Sequence, residues 1–542
     1  MNVLAVIPVR GGSKGIPRKN VRLMSGKPLL MYSVENAYKC KRITELVITT
    51  DDEEIISIAQ MNGIEYVERD KALAADHVTL DPVVYDAVVQ MENRHGKRYD
   101  IVITLQATSP LMTGETLDNA LKKFVDEKSD TCISVVNRPH LSWKKDGNCI
   151  VPAYEQRLNR QQLPANYFET GAFFITRREN VTPYSRIGKN VSVYEVPEDE
   201  ATDIDTKDDW QMCESILKRK RIIFRCDGEK KIGMGHIYRC MTLAYNLTGH
   251  EVMFVLNEDK KEGIEKIKKS FLPYHLVKNN EEFFEYIQFW NADIVVNDCL
   301  DSTYNYMEQL CSKVQRVITF EDLGKGAELA DVVINALYDV KNDKVHHYFC
   351  GEKYICLRDE FQLSTLGKYN QEVKNILVMF GGTDPSNLTK KIYDIAKSNK
   401  EKYPELRYNF ILGSGYVNDS IDGIDDYIEV YTDVKRVSDF MRIADLAFTS
   451  QGRTVYELAS MGIPAIVLAQ NEREQLHSFA QMQNGFINLG LGKNVDSPTI
   501  ESTLEWIIRT PQIRNEMRNL MLSHDLRSGL RRVINLIVDE EF

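Results

Sequence analysis

Along the chain, short continuous apolar runs alternate with stretches whose apolar residues recur at helical spacing. Val3–Val9, Leu46–Thr50, Ile101–Leu105 and Cys132–Val136 are of the first kind, and Glu53–Asn62, Asp81–Arg94 and Thr116–Lys128 of the second. A run apolar on both faces suits a strand buried in a parallel sheet, and parallel strands need crossovers, usually helical. The first part of the chain therefore predicts a mostly parallel sheet with helices on both faces. Ligands of such sheets sit beyond the carboxyl ends of the strands, where the segments after Val9 and Leu105 both fall. Past Lys218-Arg219-Lys220-Arg221, read as a linker, the pattern restarts twice. One set comprises Ile222–Phe224, Val252–Leu256, Asp293–Asn297 and Val317–Phe320; the other comprises Ile376–Phe380, Asn409–Leu412, Leu446–Thr449 and Ala465–Leu468. The fold class is α/β, with domains expected at 1–217, 221–370 and 371–542 and a ligand cleft between the last two.

The strongest chemical signal follows the first strand. Gly11, Gly12 and Gly15 let the backbone turn tightly and bring its N–H groups close to a ligand. Arg10, Lys14, Arg18 and Lys19 surround that turn with positive charge, as a triphosphate requires. The loop carries neither the Gly-Lys-Ser/Thr of a Walker loop nor the Gly-x-Gly-x-x-Gly of a dinucleotide fold. Arg10 and Lys14 are the candidates for phosphate contact, with Lys19 and Asn20 beside them. Asp203 and Asp205, two apart in an extended segment, face one side and suit Mg²⁺. Their alternative role is to cap a helix beginning near Asp208-Asp209-Trp210. In the second half, Gly233 and Gly235 permit a tight strand-to-helix turn that presents His236 at a helix N-terminus as a general base.

Composition narrows the setting. A formal net charge of −11 argues against general nucleic-acid binding despite the basic loop. Ten cysteines stand singly, without zinc-site spacing, as expected of reduced thiols. No apolar run reaches the roughly 18 residues of a membrane span, and no signal-peptide pattern opens the chain. A soluble cytoplasmic protein without nucleic-acid or membrane partners is expected.

The opening run Val6-Ile7-Pro8-Val9-Arg10-Gly11-Gly12-Ser13-Lys14-Gly15-Ile16-Pro17-Arg18-Lys19-Asn20 resembles the signature of the sialic-acid type of cytidylyltransferases. It departs at Val9 and the Gly11-Gly12 pair. Further matches follow in order over about the first 210 residues: Arg69 with Leu73–Asp76, Leu105–Leu111, Arg160–Pro164, Gly171-Ala172 and Asp203-Ile204-Asp205. The resemblance implies a Rossmann-like nucleotidyltransferase domain that transfers CMP from CTP to a nonulosonic acid and releases pyrophosphate. It assigns Arg10, Gly12, Ser13, Lys14, Lys19, Asn20 and Arg69 to CTP, Gln106 and Ser109 to the sugar acid, and Asp203 and Asp205 to Mg²⁺. Arg10 and Lys14 double as catalytic phosphate contacts. The general base is left open between a metal-bound hydroxyl and a carboxylate. A homodimer is implied through this domain, with the segment Pro139–Phe168 exchanged or packed.

Arg225-Cys226-Asp227, Ile232-Gly233-Met234-Gly235-His236 and Arg239-Cys240 resemble the signature of the UDP-sugar hydrolases of pseudaminic acid biosynthesis. Leu357–Phe361, Phe380–Asp384 and Gly452–Glu457 extend the likeness. It implies a two-lobed glycosyltransferase-B-like region that hydrolyses a UDP-amino-deoxyhexose to UDP and free sugar. His236 is then the catalytic base, and no cofactor is required. Asp227, Gly235, Gly382, Thr383, Gly452, Thr454, Glu457 and Asn471 face the UDP-sugar, with Glu457 holding the uridine ribose. Two departures stand out: Arg453 occupies a place where a small residue is common, and Asn471-Glu472-Arg473-Glu474-Gln475 replaces an Asn-Gln. The second also resembles spore-coat polysaccharide proteins, so a glycosyltransferase or a non-catalytic nucleotide-sugar module stays open as an alternative.

Overall fold

The computed structural model describes residues 1–12, 15–75, 77–228, 234–338, 347–413, 415–416, 421, 426–432 and 434–539. Two compact units divide them, Met1–Arg219 and Lys220–Phe542.

In the first unit the opening strand, Val3–Pro8, lies inside a seven-stranded sheet, parallel to Glu45–Thr50 on one side and to the central strand Ile101–Leu105 on the other. Side chains alternate between faces with a period of two. Val3, Ala5 and Ile7 join one core layer with the helices Leu29–Lys39 and Gly114–Asp126, and Leu4 and Val6 join the opposite layer with the helix Leu80–His95. Three strands of the sheet, Glu65–Glu68, Tyr167–Arg177 and Val191–Glu195, were not legible in the apolar pattern. Tyr167–Arg177 runs antiparallel between Ile101–Leu105 and Thr131–Asn137. It opens on exposed residues and bends at Gly171, whose φ is +75°, where its register shifts. The sheet is mostly parallel, as expected, with this one strand antiparallel to both neighbours.

The second unit holds two wholly parallel sheets. In the first lobe the spatial order is Tyr274–Val277, Glu251–Asn257, Arg221–Cys226, Ile294–Asp298, Arg316–Phe320, Val332–Asn335, Tyr348–Cys350. In the second it is Ile428–Thr432, Arg407–Leu412, Asn375–Met379, Leu446–Thr449, Ala465–Ala469, Phe486–Leu491. Counted by sequence, the first reads 3-2-1-4-5-6-7 and the second 3-2-1-4-5-6, the doubly wound order whose crevice opens between strands 1 and 4. The lobes share one element that the linear division at 371 does not anticipate. The last helix, Gly529–Val538, buries Leu530, Val533 and Ile537 in the first lobe's core, and Arg316 donates to the Leu536 carbonyl at 3.0 Å. Gly529 permits this return, since a Cβ there would lie 2.2 Å from the Ile355 carbonyl oxygen.

Candidate active sites

The first unit gathers its chemistry at the carboxyl edge foreseen for it. A cavity of about 330 Å³ is lined by Arg10, Gly12, Lys19, Asn20, Arg69, Gln106 and Asp205 among others. Ile204 docks the acidic segment beside it: the side chain is fully buried with Ile16, Met24, Leu29 and Leu111, and its N–H donates to the Thr108 carbonyl at 2.9 Å. Alternation then leaves Asp203 and Asp205 flanking a buried residue. Neither carboxylate caps the helix Lys207–Leu217. Thr206 does so, in a capping box with Asp209, which also receives the Asp205 N–H at 3.1 Å.

The two carboxylates differ in setting. Asp205 is exposed and lies 3.6 Å from the Lys19 ammonium. Asp203 is largely buried, and that burial, with the Asp205 charge nearby, pushes its carboxyl up from the ordinary value. One Asp203 oxygen, the Thr108 hydroxyl and the Ser109 hydroxyl are all buried without a hydrogen bond of ordinary geometry among the described residues, although Thr108 lies near enough to Asp203 to offset part of its burial. Gln106 and Asp203 meet at Gly171, where a Cβ would lie 3.4 Å from the amide nitrogen of one and a carboxylate oxygen of the other. A side chain there would narrow the space between them.

Several of the expected ligand residues also fasten the loop. Lys19 donates to the Ile204 carbonyl at 2.5 Å, and Asn20 donates to the Arg10 carbonyl at 3.0 Å. Arg69 is buried and donates to the carbonyls of Val9 and Thr49 at 3.1 and 2.6 Å, tying two strand ends together. Ser109 is buried and does not line the cavity. Ser13 and Lys14 lie outside the described residues. Gly15 is constrained by contact: a Cβ would stand 2.6 Å from the Asp205 carbonyl oxygen. Gly15→Ala is expected to displace the acidic segment and to destabilise the unit by about 1–3 kcal/mol, the usual cost of overpacking. A thermal melt, together with CMP-transfer kinetics, checks both effects.

In the second unit the first lobe's crevice lies between Arg221–Cys226 and Ile294–Asp298, where Cys226 and Asp298 stand in register. The helix Gly235–Asn246 starts there, and the Nδ1 of His236 lies 2.6 Å from Oδ1 of the fully buried Asp298. Arg239, one helical turn on, donates through Nε to Oδ2 at 2.7 Å and through Nη2 to Oδ1 at 2.5 Å. Burial opposes ionisation of Asp298, but Arg239 and His236 outweigh it and hold the carboxyl far below the ordinary range. An ionised Asp298 accepts from Nδ1–H and leaves Nε2 as the lone-pair nitrogen.

The network continues into the second lobe. Glu321, at the end of Arg316–Phe320, takes Arg239 on one oxygen and Arg453 on the other, the latter at 2.6 Å. These arginines overcome burial and hold Glu321 down to about 2. A cleft cavity of about 280 Å³ runs along the same wall, lined by Gly235, Tyr238, Arg358, Gly382, Arg453, Thr454 and Glu457 among others. Thr454 opens the helix Thr454–Met461, and Glu457 sits in its first turn. Arg358 donates to one Glu457 oxygen through Nε and Nη2 at 3.1 and 3.0 Å. Burial nonetheless raises the Glu457 carboxyl above its ordinary value.

The remaining expected contacts do not line this cavity. Asp227 lies 3.7 Å from Arg225, and Asn471 accepts the Glu474 N–H at 3.0 Å, closing its own turn. Thr383 faces Gly415, where a Cβ would lie 2.9 Å from its methyl group. Gly452 faces Glu474, at 3.6 Å by the same construction. Gly233 lies outside the described residues. Asp298 and Glu321 were not foreseen from the sequence, and Arg358 lay within the Leu357–Phe361 likeness without a role of its own. Asp298 and Glu321 carried a usable signal: each is the acidic residue that ends or follows an apolar strand at the ligand edge.

The family profile described as cytidylyltransferase matches residues 4–231. The pseudaminic acid cytidylyltransferase of Campylobacter jejuni is 32% identical over 226 residues, covering 40% of this chain and 97% of that protein. The chain belongs to the cytidylyltransferase family. The match covers the unit that holds the basic glycine loop, Arg69 and Asp203-Ile204-Asp205. A Helicobacter pylori protein named pseudaminic acid cytidylyltransferase and UDP-2,4-diacetamido-2,4,6-trideoxy-beta-L-altropyranose hydrolase is 24% identical, over 99% of this chain and 100% of its own length. An uncharacterized protein of Methanocaldococcus jannaschii, MJ1062, is 30% identical over 47% of this chain, and the match spans 57% of that relative.

Proposed function

We propose that the chain is a bifunctional enzyme of nonulosonic acid biosynthesis. The first unit transfers CMP from CTP to a nonulosonic acid, with Arg10, Lys14 and Lys19 about the phosphates and Gln106 toward the sugar acid. The attacking oxygen belongs to the sugar, so the protein's task is alignment and charge compensation. Asp203 and Asp205 would hold Mg²⁺, which fits a buried carboxylate oxygen without a well-formed hydrogen bond next to an exposed carboxylate. When bound, the ion would offset charge on the α-phosphate and the leaving pyrophosphate.

The second unit hydrolyses a UDP-amino-deoxyhexose. The observation that carries this reading is the His236–Asp298 pair, a lone-pair Nε2 held by an ionised, fully buried aspartate beside the cleft. His236 would take a proton from water as it attacks the anomeric carbon, and the sugar–oxygen bond to UDP breaks with inversion. The helix opening at Thr454 directs N–H groups toward the leaving diphosphate. The full-length similarity to the Helicobacter pylori protein, whose name joins these two activities, supports the pairing.

The test is direct. Purified chain with CTP, Mg²⁺ and nonulosonic acids should release pyrophosphate, and with UDP-amino-deoxyhexoses but no acceptor it should release UDP. UDP release only on addition of a sugar acceptor would replace the hydrolase by a glycosyltransferase. Homodimerisation through the first unit is supported by the exposed hairpin Trp143–Asp146 with Cys149–Pro152, and by exposed Trp143, Ile150, Tyr167 and Phe168. A sedimentation run should show a dimer that Trp143→Ser weakens.

A further inference from the structure

Each of the two places where the second unit departs from the hydrolase pattern contains an arginine, Arg453 in one and Arg473 in the other, and both arginines form ion pairs with acidic residues of the first lobe. Arg473 pairs in bidentate fashion with Asp301, at 2.9 and 3.1 Å, and its Nε also donates to the Tyr338 hydroxyl at 3.0 Å. This pair lies outside the cleft lining. Arg453 lines the cavity, immediately before the helix Thr454–Met461. Its Nη2 donates to Glu321 at 2.6 Å and its Nη1 to the carbonyl of Gly235, the residue before His236, at 3.1 Å. The stem lies across Gly235, where a Cβ would stand 3.5 Å from the arginine Nε.

We propose that Arg453 is a leaving-group residue of this cleft, held by Glu321 and drawn onto the diphosphate when a nucleotide diphosphate binds. The inference rests on the UDP-sugar reading of the same cleft. Position supports it: Arg453 is next to the N–H groups that open the helix, so guanidinium and helix N-terminus bear on the same anion. Charge supports it as well. Glu321 is a bridging carboxylate, and on releasing Arg453 it keeps Arg239 on its other oxygen. Its negative charge is never left buried and alone, the state that makes breaking an ion pair costly. A planar fork suits a diphosphate better than the small residue it replaces. The same movement frees the Gly235 carbonyl, so nucleotide binding and the residue before His236 are joined through one side chain. Arg473–Asp301 has no such anion beside it and holds the lobes in both states.

The experiment measures UDP affinity of the full chain by calorimetry, with UDP release measured in parallel. Arg453→Gln should weaken UDP binding about 10- to 100-fold, as loss of a charge-assisted contact does, and Arg453→Lys should restore part of it. Glu321→Gln should strengthen UDP binding several-fold, because it removes the competitor for Arg453. Arg473→Gln should leave UDP affinity within about twofold of wild type. An Arg453 that is only a strut between lobes predicts a different sign for Glu321→Gln, with Arg453→Gln and Glu321→Gln weakening UDP alike. That result, or unchanged affinity in Arg453→Gln, overturns the proposal. A wild-type chain that binds no UDP overturns the nucleotide reading of the cleft, and this inference with it. Unfolding of Arg453→Gln is distinguished by near-ultraviolet circular dichroism and by Arg453→Lys, which keeps a cation at the site.

Discussion

His236→Asn lowers UDP release by about 10² to 10⁴, the span a positioned general base contributes, while CMP transfer stays at the wild-type rate. The physical reason is geometric. On the proposed reading Nε2 is the atom that accepts the proton, since Nδ1 is occupied by Asp298 at 2.6 Å. Asparagine keeps a polar group of similar reach but offers no nitrogen lone pair. UDP affinity should change little, since the ring acts on water rather than on the nucleotide. Asp298→Asn gives a second and separable signature. It keeps the shape but removes the charge that fixes the tautomer, so kcat falls with little change in UDP affinity. It also leaves Arg239 with a weaker partner, so the melting temperature of this variant should drop while that of His236→Asn does not. Single-turnover UDP release and a thermal melt on each variant decide the matter. A His236→Asn chain that hydrolyses at the wild-type rate removes the residue from the mechanism.

Asp203→Asn abolishes most CMP transfer, by about 10² or more, because Mg²⁺ loses its buried anionic ligand and the leaving pyrophosphate its compensation. The same substitution should make the chain more stable when no metal is added. Burial pushes the Asp203 carboxyl up, and the neighbouring Asp205 charge adds to this. The sign follows from linkage: with the folded value raised above the unfolded one, the fold favours the protonated form. That contribution is complete below the ordinary aspartate value and is lost as pH rises through the raised one. Between those limits the metal-free wild type should therefore lose stability with rising pH relative to Asp203→Asn. Saturating Mg²⁺ should close the gap, since a bound cation removes the penalty for the ionised form. Melting curves at a series of pH values, with and without Mg²⁺, read this out. A gap that Mg²⁺ leaves unchanged would remove Asp203 from the metal site. Asp205, exposed and 3.6 Å from Lys19, should show the catalytic loss without the stability gain.

Local physics made much of this protein legible in one dimension. Buried parallel strands need apolar residues on both faces, so Val3–Pro8 and its counterparts announce themselves as runs. A backbone that bends toward phosphate needs glycine, so Gly11, Gly12 and Gly15 mark the loop, and residues two apart in an extended segment share a side, so Asp203 and Asp205 could be paired. The strand Tyr167–Arg177 escaped because it is half exposed and broken by Gly171, which leaves no run to read. The tertiary structure alone decided who meets whom across the chain. Asp298 lies 62 positions from His236 and becomes its partner because strand 4 returns beside strand 1. Arg453 and Glu321, 132 positions apart, join because each stands at the ligand edge of its own lobe. The last helix, read with the second lobe, buries its apolar face in the first because open core surface remains there. Periodicity reports the environment of a residue relative to its neighbours in sequence, whereas the identity of a buried charge's partner depends on strand order, which no local pattern encodes.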